Sequence, residues 1–422
     1  MLDINETPHQ QTLSDGFVMR TAANENDVER VAQFNGVIHG HGVTGMTRSI
    51  FLHHPDTRGR DLIFVEDART GEVVSSLCVI PWKLSYSGVT INSGEMGIVG
   101  TLKEYRNRGL IREQVKFFKQ RLKERGCVMS HIQGIGYYYR QFDYEYAMPL
   151  EGGYIITGRE IPSQQTPEYS LRLAQSDDLS ILMSLADKAG GDLNIHSVRN
   201  EAIWQYLMTH SAGAETESEV WVVEDAARNA CAYLRLPKFH FGEELTVSEA
   251  SQMTFGQAVA VLQHATTLAV ARHIPGVRLC LPANHILMRV AKSFGARDMG
   301  AYAWQIHIPD IANLLRAVAP ALERRIALSP FAGFTCDLPL CFYRQTVALR
   351  FVDGCLTKVI DSGNTDGAPN HFPPRSFTPL VLGYRSLGET LAAYPDAGVS
   401  AANRLLIETL FPKVQAFLYT IY

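Results

Sequence analysis

The stretch Val99–Leu122, VGTLKEYRNRGLIREQVKFFKQRL, decides how this chain is read. Continued to Arg125, it carries nine basic side chains from Lys103 onward. Such a run is either a phosphate cradle or a solvated helix face. Residues 96–101, MGIVGT, read as a buried strand, and LKEYRNRG reads as the crossover that follows. From Leu110 the pattern is helical, with Ile111, Val115, Phe118 and Leu122 on one face. Arg112, Lys116, Lys119 and Lys123 fall on the polar side. A helix start offers unpaired backbone N–H groups and the positive end of a dipole, which together bind phosphate. Gly109 lets the backbone approach a pyrophosphate, and Arg106 or Arg108 adds charge-assisted bonds.

The rest of the chain supplies context. A length of 422 residues exceeds one ordinary core and predicts two or three domains. A hydrophobic fraction of 46% with 19% charged residues fits a globular protein. The net charge of -4 gives no basic footprint for nucleic acid or an anionic membrane surface. No run of about 18 apolar residues is present, so no membrane span is expected. The polar start MLDINETPHQQTLSDG has no basic segment followed by an apolar one, so a cytoplasmic protein without a signal peptide is expected. The seven cysteines are scattered, with no CxxC and no paired Cys/His spacing, which predicts reduced thiols and no metal centre.

The chain repeats itself. FVMRTAANENDVERVAQF (17–34) and YSLRLAQSDDLSILMSL (169–185) share an apolar start, then Arg-x-Ala, then acidic residues opening a helix. VEDARTGEVVSSLCVIP (65–81) matches VEDAARNACAYLRLP (223–237), and each reads as strand, tight turn, strand. Two matches in the same order point to a duplicated unit. REIPSQQTPEYS between the copies reads as a linker. A third unit follows IHIPDIANLL, with a hairpin about Asp353-Gly354, a loop at SGNTDGAPNHFPPRS, and helices around 378–392 and 400–410. The pattern is thus α/β, with two related domains and a smaller α+β domain. Only the first copy has the arginine-rich junction; its counterpart in the second has no such cluster.

The order strand, Val-Gly-Thr, Tyr-Arg-Asn-Arg-Gly-Leu-Ile-Arg, helix resembles the acetyl-CoA-binding motif of the GNAT acetyltransferases. More narrowly, RNRGLIR resembles the version found in the enhanced-intracellular-survival (Eis) family. That resemblance implies two tandem GNAT domains, of which only the first is catalytic, followed by a domain similar to sterol carrier protein. The expected intervals are 1–160, 167–305 and 306–422. It implies acetyl-CoA as co-substrate, an amine-bearing small molecule or peptide as acceptor, and a homo-oligomer, hexamer or dimer. The implied acetyl-CoA contacts are Val99, Gly100 and Thr101 on the strand, then Asn107, Arg108, Gly109, Leu110, Ile111 and Arg112. Ile111 stands where the broad superfamily has Gly or Ala, and Lys103 where a proline is usual.

Acetyl transfer to an amine needs a base for the nitrogen and an acid for the leaving thiolate. The resemblance implies a tyrosine acid in a motif like Tyr-Gly-Arg-Phe-Gly-Tyr-Gly. YRQFDYE (139–145) corresponds, with Tyr139 at the acid position and Tyr137 and Tyr138 as neighbouring competitors. Arg140, Gln141, Asp143 and Glu145 replace the family's Gly, Arg, Gly and Gly. That departure favours a rival reading, a non-catalytic acetyl-CoA sensor or scaffold. The implied base is the α-carboxylate of the last residue, here Tyr422 of LFPKVQAFLYTIY, with Glu95 as the alternative. Direct transfer without an acetyl-enzyme is expected, since no cysteine lies near the cradle motif. The histidines of IHGHG (38–42) and HH (53–54), with Arg48, are expected to shape acceptor choice. Residues 30–55 lack Asp and Glu, which disfavours a polycationic acceptor unless other segments supply carboxylates.

Overall fold

The computed structural model describes residues 6–150, 152–162, 168–239, 242–300, 302–363 and 368–422. The first residues of the polar start, the middle of the linker (163–167) and part of the SGNTDG loop (364–367) lie outside them.

The largest sheet runs in the order Gln10–Thr12, Phe17–Thr21, Leu62–Asp67, Val73–Tyr86, Val89–Thr101, Met129–Ile132, Ala303–His307, Glu145–Pro149. Along that path only Val89–Thr101 and Met129–Ile132 pair in parallel. A parallel pair needs a crossover, and the helix Leu110–Glu124 provides it. That helix buries Leu110, Val115, Phe117, Phe118 and Leu122 against the sheet. Ile111, read as a core position, is only half-buried, because the sheet has parted beneath the first turn. The parallel pairing stops at Glu95↔His131, while the longer strand continues to Thr101. A cleft opens between the two diverging strands.

The repeat is visible in three dimensions. The strands Phe17–Thr21 and Ser170–Leu173 each lead to a helix, Glu25–His39 and Leu179–Gly191. The hairpins Leu62–Asp67/Val73–Tyr86 and Ser218–Glu224/Ala230–Pro237 are both antiparallel. The copies also exchange strands. Tyr154–Ile156 leaves the first unit to pair with Val277–Leu279 and Arg297–Asp298. Ala303–His307 returns to lie between Met129–Ile132 and Glu145–Pro149.

In the third unit, Cys336–Cys341, Thr346–Val352 and Cys355–Asp361 form an antiparallel sheet. Its tight turn holds Asp353 at φ 51° and Gly354 at φ 79°, the two left-handed positions a two-residue hairpin needs. The helices Phe377–Val381, Leu387–Ala393 and Ala401–Leu410 follow. Phe377, Leu410 and Phe411 belong to the same buried cluster as Trp82 and Tyr86 of the first sheet. Tyr86 Oη donates to the Val381 carbonyl at 2.6 Å. The last segment then threads between the two repeats: Ala416–Phe417 pairs with Ile195–Ser197, which pairs with the end of Val73–Tyr86.

Candidate active site

The cleft between the diverging strands is a cavity of about 1110 Å³. It collects residues from all parts of the chain: the motif from Val99 to Arg112, then Tyr139, Thr216, Ser218, Thr420 and Tyr422. Val99, Gly100, Thr101, Asn107, Arg108, Gly109, Leu110, Ile111 and Arg112 all line it, as do Glu95, Tyr139 and Tyr422.

Strand geometry accounts for the first wall. The register against the neighbouring strand shifts between Ser76 and Cys78, which pair with Gly100 and Gly97. Ile98 and Val99 therefore oppose Leu77 alone, and Ile98 takes φ 47°. A bulge of this kind interrupts ladder pairing and frees backbone groups for a ligand. Ser75 Oγ bonds Gly100 O, Thr101 Oγ1 and the buried Gln114 Oε1, and so ties the bulged strand to the crossover helix.

The second wall is the helix start. Asn107 at φ 62° and Gly109 at φ 77° curl the backbone about Arg108. Gly109 is the N-cap and supplies no side-chain cap to the first turn. The corresponding helix of the second repeat, Phe255–Ala271, is closed by a capping box between Thr254 and Gln257. One copy's first turn has no side-chain cap; the other's is closed by its capping box.

The nine basic residues divide in the same spirit. Arg121 is 4% exposed and bonded to Asp61, Glu6 and Glu124, and Arg125 also bonds Asp61. Lys116 pairs with Glu113, and Lys119 with Asp143. Arg106, Arg108 and Arg112 line the cleft, and among the described residues none of them forms an ion pair with a carboxylate. Arg106 and Arg108 donate to the backbone carbonyls of Thr101 and Glu104, and Arg108 also lies over the rings of Phe17 and Tyr105. Toward its end the helix face is thus held in ion pairs, while at its start the arginines face the cleft.

On the opposite side, Glu95 is 3% exposed. Its Oε1 accepts from Tyr422 Oη at 2.8 Å and its Oε2 from Trp82 Nε1 at 3.0 Å. Burial pushes its pKa up to about 8, against the pull of these two donors. His131 Nε2, buried and unpartnered among the described residues, lies 3.9 Å from Oε2. Burial holds His131 neutral, with its pKa down at about 3. Tyr422 is buried, its ring edge-on to Trp82, and its main-chain oxygen accepts from Thr420 Oγ1 at 2.9 Å.

Tyr139 is buried against Gly134, where a Cβ would meet its ring at 2.2 Å. Burial first, then Tyr138 and Tyr302, push its pKa well above the usual phenol value. Tyr138 also lines the cleft, whereas Tyr137 is 73% exposed and packs against Tyr146 and Arg140. The residues that replace the family's glycines have partners of their own. Arg140 pairs with Glu145 at 2.7 Å and Asp143 with Lys119 at 2.9 Å. Asp143 even adopts φ 71°, the left-handed conformation that favours glycine.

Residues 23–147 match the acetyltransferase (GNAT) domain family. The chain carries a GNAT domain. No curated protein matches the chain by sequence. The whole fold is similar to a GCN5-related N-acetyltransferase from Anabaena variabilis, with TM-score 0.70 and 16% identity over 95% of this chain and 99% of that one. A conserved protein of unknown function from Enterococcus faecalis, a probable N-acyltransferase, gives 0.69 at 13% identity over 99% and 100%. Eis1 from Mycobacterium abscessus gives 0.60 at 13% identity over 96% and 100%. The chain therefore shares its fold with all three.

Around the GNAT cleft, some expectations change. Arg48 is bonded twice to Glu29 and is absent from the lining. Of the histidines in the first unit only His39 lines the cleft; His53 stacks on His210, and His54 packs against Tyr206. Cys280 of the second unit lines the cleft as well. Chain distance from the cradle motif had hidden it. Glu215, Phe239 and Arg278 are further lining residues that carried no sequence signal. No helix among the described residues is long and apolar enough to cross a membrane.

Proposed function

We propose that the protein is an Eis-like N-acetyltransferase that moves the acetyl group of acetyl-CoA directly to an amine. One observation carries this reading: a helix start without a side-chain cap, flanked by three arginines that have no carboxylate partner among the described residues, opens into the same cleft as Tyr139 and Tyr422. The N–H groups of Leu110, Ile111 and Arg112, with Arg106 and Arg108, would hold the pyrophosphate. The bulged backbone at Val99, Gly100 and Thr101 would meet the pantetheine arm. Acetyl-CoA, when bound, supplies an activated thioester.

The amine nitrogen then bonds to the thioester carbonyl carbon while the carbon–sulfur bond breaks. The proton lost by the amine goes to the base, and Tyr139 gives its phenolic proton to the leaving thiolate. The base in this proposal is the α-carboxylate of Tyr422. Glu95, held neutral near pH 7 by burial, instead fixes the Tyr422 ring. The second unit would be a non-catalytic GNAT-like domain. The third, in this reading similar to sterol carrier protein, anchors the segment that brings Tyr422 to the cleft. The rival reading, a non-catalytic acetyl-CoA sensor, draws on the altered YRQFDYE motif, but Arg140, Asp143 and Glu145 there are engaged in ion pairs rather than eroded.

Calorimetric titration of acetyl-CoA, followed by thiol release with a panel of amines, tests the proposal. Binding with amine-dependent thiol release supports it. Binding without release under any amine favours the sensor, and no binding overturns both.

A further inference from the structure

Three glutamates alternate at the mouth of the second unit's hairpin: Glu215, Glu217 and Glu219. Glu217 is tied to Lys238 at 2.5 Å and accepts from the Gly213 N–H. Glu219 holds Arg272 at 2.9 Å and accepts from Trp221 Nε1. Among the described residues no donor meets the carboxylate of Glu215, which is half-buried and has its pKa raised by desolvation alone. Of the three, it is Glu215 that lines the cleft.

An unpaired carboxylate withdrawn from water is costly, and a cation entering beside it removes that cost. Glu215 is also held rigidly. Its backbone N–H donates to Gly42 O at 3.0 Å. Gly45 approaches so closely that a Cβ there would lie 2.0 Å from the Gly213 carbonyl oxygen. The loop is therefore clamped to the helix His41–His53. Glu215 stands near enough to Tyr422 for its charge to push that phenol's pKa up.

Among the described residues the side-chain carboxylates lining the cleft are Glu95 and Glu215. Glu95 is already bonded to Tyr422 and Trp82. The cleft's lining includes the apolar Ile38, Val43, Met46 and Phe239, together with the polar Thr216, Ser218, Thr246 and Ser248 and the basic Arg278. The geometry points to Glu215 as the residue that receives the acceptor's ammonium group, and to a primary amine with an apolar body as the acceptor class. One available side-chain carboxylate suits one positive charge, and the apolar part of the lining suits an apolar body. A polycation would leave its other ammonium groups without partners. This inference rests on the acyltransferase reading above.

The test uses the full chain, acetyl-CoA, and two amine probes, 2-phenylethylamine and kanamycin. The wild type is expected to release thiol with higher kcat/KM for 2-phenylethylamine than for kanamycin. Glu215→Gln should raise KM for 2-phenylethylamine about ten- to a hundredfold, the range for a lost charge-assisted bond, with kcat nearly unchanged. Glu215→Asp should recover part of the loss. Calorimetric affinity for acetyl-CoA and the melting temperature should stay the same in both variants. An unchanged KM in Glu215→Gln, or a preference for kanamycin, overturns the inference while leaving the enzyme. Acetyl-CoA binding without turnover of either amine overturns the acceptor class alone. Failure of acetyl-CoA to bind the wild type removes the underlying reading, and this inference with it.

Discussion

The Tyr422 phenol donates to Glu95 Oε1 at 2.8 Å, joining residues 327 positions apart. The bond places a residue of the third unit against the strand that opens the cleft. Tyr422→Phe leaves a buried carboxyl oxygen without its donor, so it should cost about 1–3 kcal/mol of stability. Denaturant unfolding would measure that. Residues added after Tyr422 convert its α-carboxylate into a neutral amide. Such an extension should reduce turnover about a hundredfold or more while acetyl-CoA still binds. Full turnover by the extended chain would move the base to Glu95.

Glu95 also sets a pH dependence. Its pKa is about 8 in the fold against 4.5 ordinarily. Between those values the folded chain keeps a proton that the unfolded chain releases, so stability falls as pH rises through the window. His54 and His307, at about 4, and His131, at about 3, act in the opposite sense and only below their ordinary 6.5. Melting temperature should therefore drop from pH 6.5 to 8, and Glu95→Gln should flatten that slope. A slope identical in wild type and variant would exclude Glu95 as its source.

Tyr139→Phe should keep the affinity for acetyl-CoA and lower kcat about 10²- to 10⁴-fold, the range for loss of a general acid. The buried phenol stays protonated across the working pH range, as an acid must. Tyr138→Phe is the control, and a larger effect there would transfer the role to the neighbouring ring.

Arg108→Ala combined with Gly109→Asp should abolish acetyl-CoA binding in calorimetry. An aspartate at the N-cap would cap the N–H groups that the proposal reserves for phosphate and would repel the anion. Gly109 sits at φ 77° with open space around a would-be Cβ, so the added strain is in the backbone alone. Unweakened binding would place the cofactor elsewhere.

Cys280 lines the cleft, so direct transfer needs its own check. Cys280→Ala should leave kcat within about twofold of wild type, and initial-rate patterns should intersect rather than run parallel. Parallel lines lost in the variant would mean an acetyl-enzyme.

Local chemistry made much of this protein legible in advance. The alternation and Asp353-Gly354 fixed a hairpin, because a two-residue turn depends only on its own backbone. The spacing of Val115, Phe118 and Leu122 marked the crossover helix, and Gly109 its start. The repeated strand–turn–strand stretches announced two related units. These signals lie within a few residues of one another, so a linear reading can weigh them.

What the sequence could not disclose depends on pairings between distant residues. Arg121 and Arg125 read as part of a basic helix, yet Asp61, far upstream, takes both into ion pairs. Tyr154–Ile156 and Ala303–His307 carry no mark of the sheets they join across the repeat. By itself the sequence determined the glycine-marked basic helix start and the repeated stretches, and its resemblance to a known family singled out Tyr139, Tyr422 and Glu95 as candidates. Only the tertiary structure decided that Glu95 and Tyr422 touch, and that Glu215 faces the cleft with no partner among the described residues. The reason is physical: burial and partnership are set by which segments pack together, and strand exchange and a threaded tail bring those segments from opposite ends of the chain.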